Sequence, residues 1–177
     1  MNKSTQIFID SAGFASLFKF NLIGKSKVHF EPIPNFDIYK FSGRWYEIAR
    51  IDHTIEKNIN NSTVIFSINE KEYFNILSKG FNYKKQKRKT ISGTGKIISN
   101  KQQGILRISF LRPLYMDFNI IKLDCNYENA LIAGKNHDYL WLFSREKFVD
   151  FKIKENFLLE ASELGFNTKK LTWIRHD

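Results

Sequence analysis

The stretch Ser42-Gly43-Arg44-Trp45-Tyr46-Glu47-Ile48-Ala49-Arg50 decides how the rest of the chain is read. A glycine, one spacer and a tryptophan lead into a strand-like run. That order suits the first strand of a β-barrel, with Gly43 permitting a close approach and Trp45 plugging one end. Alone, Gly-x-Trp arises by chance. It gains weight from Asn35-Phe36-Asp37 before it, Asp52-His53 after it, and Leu140-Trp141-Leu142-Phe143-Ser144-Arg145 far downstream.

From Ser42 onward short apolar runs recur, separated by Asn, Lys, Gly and Asp. Such spacing predicts strands over 44–51, 62–69, 72–79, 89–98, 104–111, 118–124, 129–134 and 139–145. Eight is the number that closes a small antiparallel barrel around one ligand. Leu106-Arg107-Ile108-Ser109-Phe110 alternates apolar and polar, as a half-buried strand does. Val64-Ile65-Phe66-Ser67-Ile68 is apolar on both sides, which suits a strand covered by a helix outside and lining a cavity inside. Then the period changes. Asp150 is a candidate N-cap, and Ile153, Phe157, Ala161 and Leu164 share one helical face. Gly165 fits the stop, and 170–175 reads as a ninth short strand carrying Trp173.

The chain has 177 residues, which suits one domain with a sizeable core. Seventeen Phe against three Trp and seven Tyr predict a phenylalanine-rich interior. The formal charge is +10. It concentrates at Lys84, Lys85, Lys87, Arg88 and Lys89, read as a solvated hairpin loop. No RNA-recognition signature or zinc-finger spacing accompanies it, so nucleic acid is not an expected partner. A single cysteine, Cys125, allows no intrachain disulfide. Residues 1–34 are read apart from the domain at 35–177. Apolar runs there are broken by Asp10, Lys19 and Asn21, so the segment reads as a poor signal peptide, an amphipathic helix or a disordered extension.

Three ordered pieces resemble the lipocalin family, and within it the bacterial lipocalins related to apolipoprotein D. They are Gly43-x-Trp45, the turn Leu123-Asp124-Cys125-Asn126-Tyr127, and Arg145 at the end of the eighth strand. Lys79-Gly80-Phe81-Asn82, Pro113-Leu114-Tyr115 and Asp138-Tyr139-Leu140-Trp141 also look like that branch. The turn departs from the commoner Thr-Asp-Tyr form. The resemblance implies an eight-stranded up-and-down barrel with a C-terminal helix and a short ninth strand. It implies that Arg145 lies across Trp45, a cation–π contact of roughly 1–2 kcal/mol. Gly43, Trp45, Asp124, Tyr127 and Arg145 would then be structural, and truncating Trp45 or Arg145 would lower stability before affinity. The resemblance also implies the cell envelope. The family's lipid-bearing cysteine has no counterpart near this N-terminus, which leaves cytoplasmic and peripheral-membrane placement open.

A lipocalin's function lives in its calyx. With Trp45 facing in, period-two counting puts Glu47 and Ala49 on the inner face, then Val64 and Phe66, then Ile76 and Ser78, then Ile97. Leu106, Ile108 and Phe110 follow, with Phe118, Ile120, Tyr139 and Trp141. Such a lining suits a fatty acid or lysophospholipid, since each buried methylene contributes roughly 0.8 kcal/mol. A barrel filled by its own Phe side chains is the alternative. Glu47 reads either as an interior carboxylate or as the partner of a nearby Lys or Arg. Arg112 and Tyr115, with Lys84 and Lys85, are candidates for an anionic head group at the rim. An anionic membrane surface is a further candidate partner, and a homodimer is left open.

Signals for chemistry are weak. Cys125 sits in a turn with no His tied to it. Asp52-His53 is more often a loop hydrogen bond than an acid–base pair. No metal-ligand spacing, nucleophile elbow or phosphate loop is present, so no catalytic residue, metal or cofactor is expected. Binding of a small hydrophobic ligand is the expected function. A lipid-acting enzyme of the same fold, or a membrane-surface module with a filled barrel, are the alternatives.

Overall fold

Strand β1, Gly43–Ile51, is the seam of the molecule. The computed structural model describes residues 28–53, 56–70, 73–98, 103–111 and 113–177. The start of β1 pairs antiparallel with β2 (Ile59–Glu70), for example Trp45 opposite Val64. After β2 come β3 (Tyr73–Asn82), β4 (Lys87–Ile97), β5 (Ile105–Leu111), β6 (Leu114–Leu123), β7 (Asn129–Ala133) and β8 (Leu140–Ser144). Each pairs antiparallel with the one before it, and β8 returns to β1. The β1–β2 pairing closes the eight strands into a barrel, and β9 (Leu171–Trp173) pairs with the far end of β1. Closure is how such a sheet avoids long open edges.

Among the described residues two α-helices flank the barrel. The four-residue α1, Ile38–Phe41, is too short to show a periodic pattern; Asp37 caps it by accepting from the Tyr39 and Lys40 amides. Helix α2, Phe151–Glu163, starts as expected, with the Asp150 carboxylate accepting from the Ile153 amide at 2.8 Å. Its inner face buries Phe157 and Ala161 on Ile48, Leu131, Leu140 and Leu142. Among the described residues this outer core draws on β1, β6, β7 and β8 and not on β2, which was expected under the helix. The reason is visible in β7 and β8, whose Ala130 to Ala133 and Leu140 to Phe143 are buried on both faces. A second, separate core fills the barrel around Phe41, Trp45, Phe66, Phe74, Ile108 and Ile132.

Strands β2 and β6 begin at Ile59 and Leu114, earlier than the sequence reading has them, and three further differences bear on the site. The basic run is not all loop: the turn spans only 83–86, and Lys87, Arg88 and Lys89 begin β4, because pairing continues to Asn82 opposite Lys87. The packed body begins before residue 35. The Val28 amide donates to the Lys135 carbonyl at 3.0 Å, the Ile33 amide donates to the Ile120 carbonyl at 2.9 Å, and buried Phe30 stacks on Phe166. A stretch anchored by single side chains and isolated backbone bonds carries no periodicity to read. The expected signal-like, amphipathic or disordered character of the first 27 residues lies outside the described residues. Third, Ala49 does not face the interior. The register against β8 slips between Glu47 and Ala49, a β-bulge, so Ile48 and Ala49 both pack under the helix and Arg50 turns inward.

Gly43 sits at φ +94°, where an added Cβ would lie 3.4 Å from the Arg145 guanidinium. A side chain there is strained whatever the space. Gly43→Ala is expected to cost roughly 1–2 kcal/mol, read by urea unfolding. A variant as stable as its parent would mean that this conformation is not required.

Candidate functional site

The two ends of the barrel do different work. At the closed end Trp45 is wholly buried, and its indole N–H donates to the Phe41 carbonyl at 2.8 Å. The Arg145 guanidinium lies 3.8 Å from the centre of the Trp45 ring. It also donates to the carbonyls of Tyr127, Arg44, Lys40, Phe41 and Ser42 at 2.7–3.2 Å. Asp124 holds the β6–β7 turn by accepting from the amides of Glu128 and Asn129 and from the Asn129 side chain. The Tyr127 hydroxyl accepts from the Asp37 amide. Gly43, Trp45, Asp124, Tyr127 and Arg145 therefore meet in one stopper. Cys125 is exposed beside it.

Above the stopper the interior is solid. Phe66, Leu106, Ile108 and Ile120, expected to line the calyx, are buried in the barrel core, with Ile97 packed against it. Phe74 reaches over Gly95, whose missing side chain leaves room for the ring. Aromatic volume thus fills the lower part of the barrel.

The upper part is hollow. The cavity leaves about 90 Å³ for the centre of a water molecule, against the ~10–15 Å³ that one water needs on the same measure. Its walls bring together eight of the expected residues: Glu47, Val64, Ile76, Ser78, Phe110, Phe118, Tyr139 and Trp141. Strand order places β5 and β6 across from β1, so Phe110, Met116 and Phe118 form an apolar wall facing a polar one. At the rim, Lys84 and Lys85 are exposed on the β3–β4 turn and Tyr115 is exposed on β6. None of these three borders the cavity. Arg112 lies outside the described residues.

The polar wall holds what periodicity missed. Arg50, brought inward by the bulge, is 1% exposed. It pairs with Glu47 at 3.1 Å and with Asp52 at 2.7 Å, and donates to the Glu56 and Ile59 carbonyls. So Glu47 is both an interior carboxylate and the partner of an arginine. Burial pushes the Glu47 carboxyl up to about 7, outweighing the pull of Arg50, while neighbouring Glu56 adds to the rise. Burial also raises the Glu56 carboxyl, again against Arg50. Burial opposes the charge on Arg50, yet Glu47, Glu56 and Asp52 together outweigh it. His53 stacks on Tyr139 at 4.1 Å between ring centres, and burial lowers its pKa. Lys89, from the basic run, also lines the cavity and is lowered by burial. The loop before β2 closes over this wall: Trp141 donates to Glu56 Oε1 at 3.3 Å, and the Tyr83 amide and hydroxyl bond Asn58. Among the described residues no group of three or more His, Cys, Asp or Glu side chains could hold a metal ion.

A family model for the lipocalin-like domain matches residues 36–176. The chain belongs to the lipocalin family. Outer membrane lipoprotein Blc of Citrobacter freundii is 33% identical to this lipocalin over 143 residues, covering 81% of each chain. Its counterpart in Vibrio cholerae is 30% identical over 146 residues, covering 82% of this chain and 85% of the relative. This lipocalin is therefore a bacterial Blc-like one in sequence. Insecticyanin from the tobacco hornworm Manduca sexta shares the fold, with a TM-score of 0.72 at 16% identity over 88% of both chains. Lobster apocrustacyanin A1 does so with a TM-score of 0.64 at 13% identity, over 86% of this lipocalin and 94% of that chain.

Proposed function

We propose that this lipocalin binds and carries a single-chain amphiphile, a fatty acid or lysophospholipid, rather than acting as an enzyme. Binding of small hydrophobic ligands is the family's established role. One observation carries the finer reading: a water-accessible cavity with a wall of Phe110, Met116, Phe118, Val64 and Ile76 above a solid core. Such a wall takes an aliphatic tail, and at roughly 0.8 kcal/mol per methylene a long chain reaches micromolar affinity after association costs. A role in lipid handling at the envelope agrees with the outer membrane lipoproteins it is similar to.

Native mass spectrometry of the purified protein, followed by organic extraction, tests this. A co-purifying single-chain lipid is expected. Phe110→Arg places a charge on the apolar wall and is expected to weaken binding at least about tenfold. A protein that is empty and ignores a panel of acyl ligands would overturn the reading.

A further inference from the structure

Two carboxylate oxygens on the polar wall of the cavity are buried without a hydrogen-bond partner. A guanidinium has five N–H groups. Those of Arg50 already serve Asp52, Glu47 and the carbonyls of Glu56 and Ile59. Opposite them, Glu47 Oε1 and Glu56 Oε2 are buried without a partner at hydrogen-bond geometry, as is His53 Nε2, and the Ser62 hydroxyl is the donor beside the Glu47 carboxyl. Glu47 is 3% exposed, and both carboxyls border the cavity. A buried acceptor without a donor is costly, and a ligand group that supplies one recovers that cost.

We infer that the polar group of the cavity ligand is a hydrogen-bond donor, a hydroxyl or ammonium on an aliphatic chain, seated against Glu47 and Glu56, and that a free carboxylate is excluded there. The inference rests on the cavity being the ligand site. An anion at this position meets the Glu47 and Glu56 carboxyls, the donors of Arg50 are largely spent, and the Lys89 ammonium that also lines the cavity is set against Glu56. Of the amphiphiles proposed above, this wall admits those bearing hydroxyl or ammonium groups. It takes a fatty acid only when protonated, or with its carboxylate outside near Lys84 and Lys85.

The test is displacement of a neutral fluorescent probe, N-phenyl-1-naphthylamine, from the full chain by decylamine, 1-decanol and decanoate. At pH 8, decylamine or decanol is expected to bind at least about tenfold more tightly than decanoate. Glu56→Gln and, separately, Glu47→Gln are expected to shrink that preference to within about threefold, since each removes one acceptor charge. The pH arm separates the two donors. Glu47 faces Arg50 and Asp52 from its own strand and strand end, His53 and Glu56 from the loop, and Lys89 from β4, with His176 on its carbonyl. An ammonium ligand weakens from pH 8 to pH 6 as the carboxyl pair takes up a proton, whereas a hydroxyl ligand holds its affinity. Either behaviour supports a donor. Decanoate binding as tightly as the other two at pH 8 overturns the inference while leaving the calyx intact as a binding site. Failure of all three to displace a bound probe overturns the inference and the binding reading together.

Discussion

Arg145→Ala is expected to destabilise the protein by about 3–5 kcal/mol. The side chain is half-buried and does two things at once. It lies flat on the Trp45 ring, worth roughly 1–2 kcal/mol where the pair is partly desolvated. It also gathers five carbonyls from the end of α1 and its C-cap Ser42, from β1 and from the β6–β7 turn. Alanine removes the guanidinium donors from all five; the Phe41 carbonyl keeps the Trp45 indole N–H, and each of the others shielded from water adds about 1–3 kcal/mol. Urea unfolding reads the loss. Arg145→Lys is expected to recover only part of it, because an ammonium cannot present the planar fork that reaches separate carbonyls while stacking on indole. Affinity for a cavity ligand under folding conditions should move far less than stability, since the solid core of Phe66, Phe74, Ile108 and Ile120 separates the stopper from the cavity. An alanine variant within about 1 kcal/mol of the parent would show that water replaces the guanidinium, and the stopper would then be no more than a lid over a self-sufficient core.

What could be read in the chain follows from which interactions are local. The stopper was legible because its residues are chemically unusual: a glycine forced to positive φ, an indole and a guanidinium recur in fixed order. Strand β5 was legible because one face meets a dry interior and the other meets water, so the pattern alternates; β6, read from 118, begins at Leu114. Ala49 was not legible. A bulge adds one residue to one strand without a compositional mark, and every later side chain on β1 then changes face. Arg50 became interior for that reason. A charged triplet within an apolar strand, Glu47, Arg50 and Asp52, was the available signal, since charges spaced so closely in a buried strand must pair. Glu56 left none, because it reaches the cavity from a loop whose path is set by Trp141 and Arg50. Lys89 was hidden in a basic run whose other members are exposed. The split between filled and hollow barrel was likewise beyond pattern. It depends on how far Phe74 leans over Gly95 and not on how many phenylalanines there are.

The same polar wall makes a stability prediction with a definite sign. Glu47 carries a folded-state pKa of about 7 against 4.5 for an unperturbed carboxyl. A group whose pKa is raised by folding binds more protons in the native state across that interval, so stability falls as pH rises. The contribution is fully present below about pH 4.5 and is lost by the time pH has passed 7. It amounts to about 3 kcal/mol, since each tenfold change in proton affinity is worth about 1.4 kcal/mol. Glutamine mimics the protonated carboxyl in shape and removes its titration. Glu47→Gln is therefore expected to flatten the fall in unfolding free energy between pH 5 and pH 8 by up to that amount. Groups elsewhere titrate alike in both proteins and cancel in the comparison. Against this stands the Glu47–Arg50 pair at 3.1 Å, which the variant also loses. Burial outweighs it, which is why the carboxyl is raised at all, and a buried ion pair is often no more stabilising than its neutral replacement. If the two proteins lose stability in parallel from pH 5 to pH 8, Glu47 is ionised throughout and the cavity wall is held by a true ion pair. A flatter profile means that folding keeps a proton on this wall near neutral pH, held where a donor-bearing ligand would take its place.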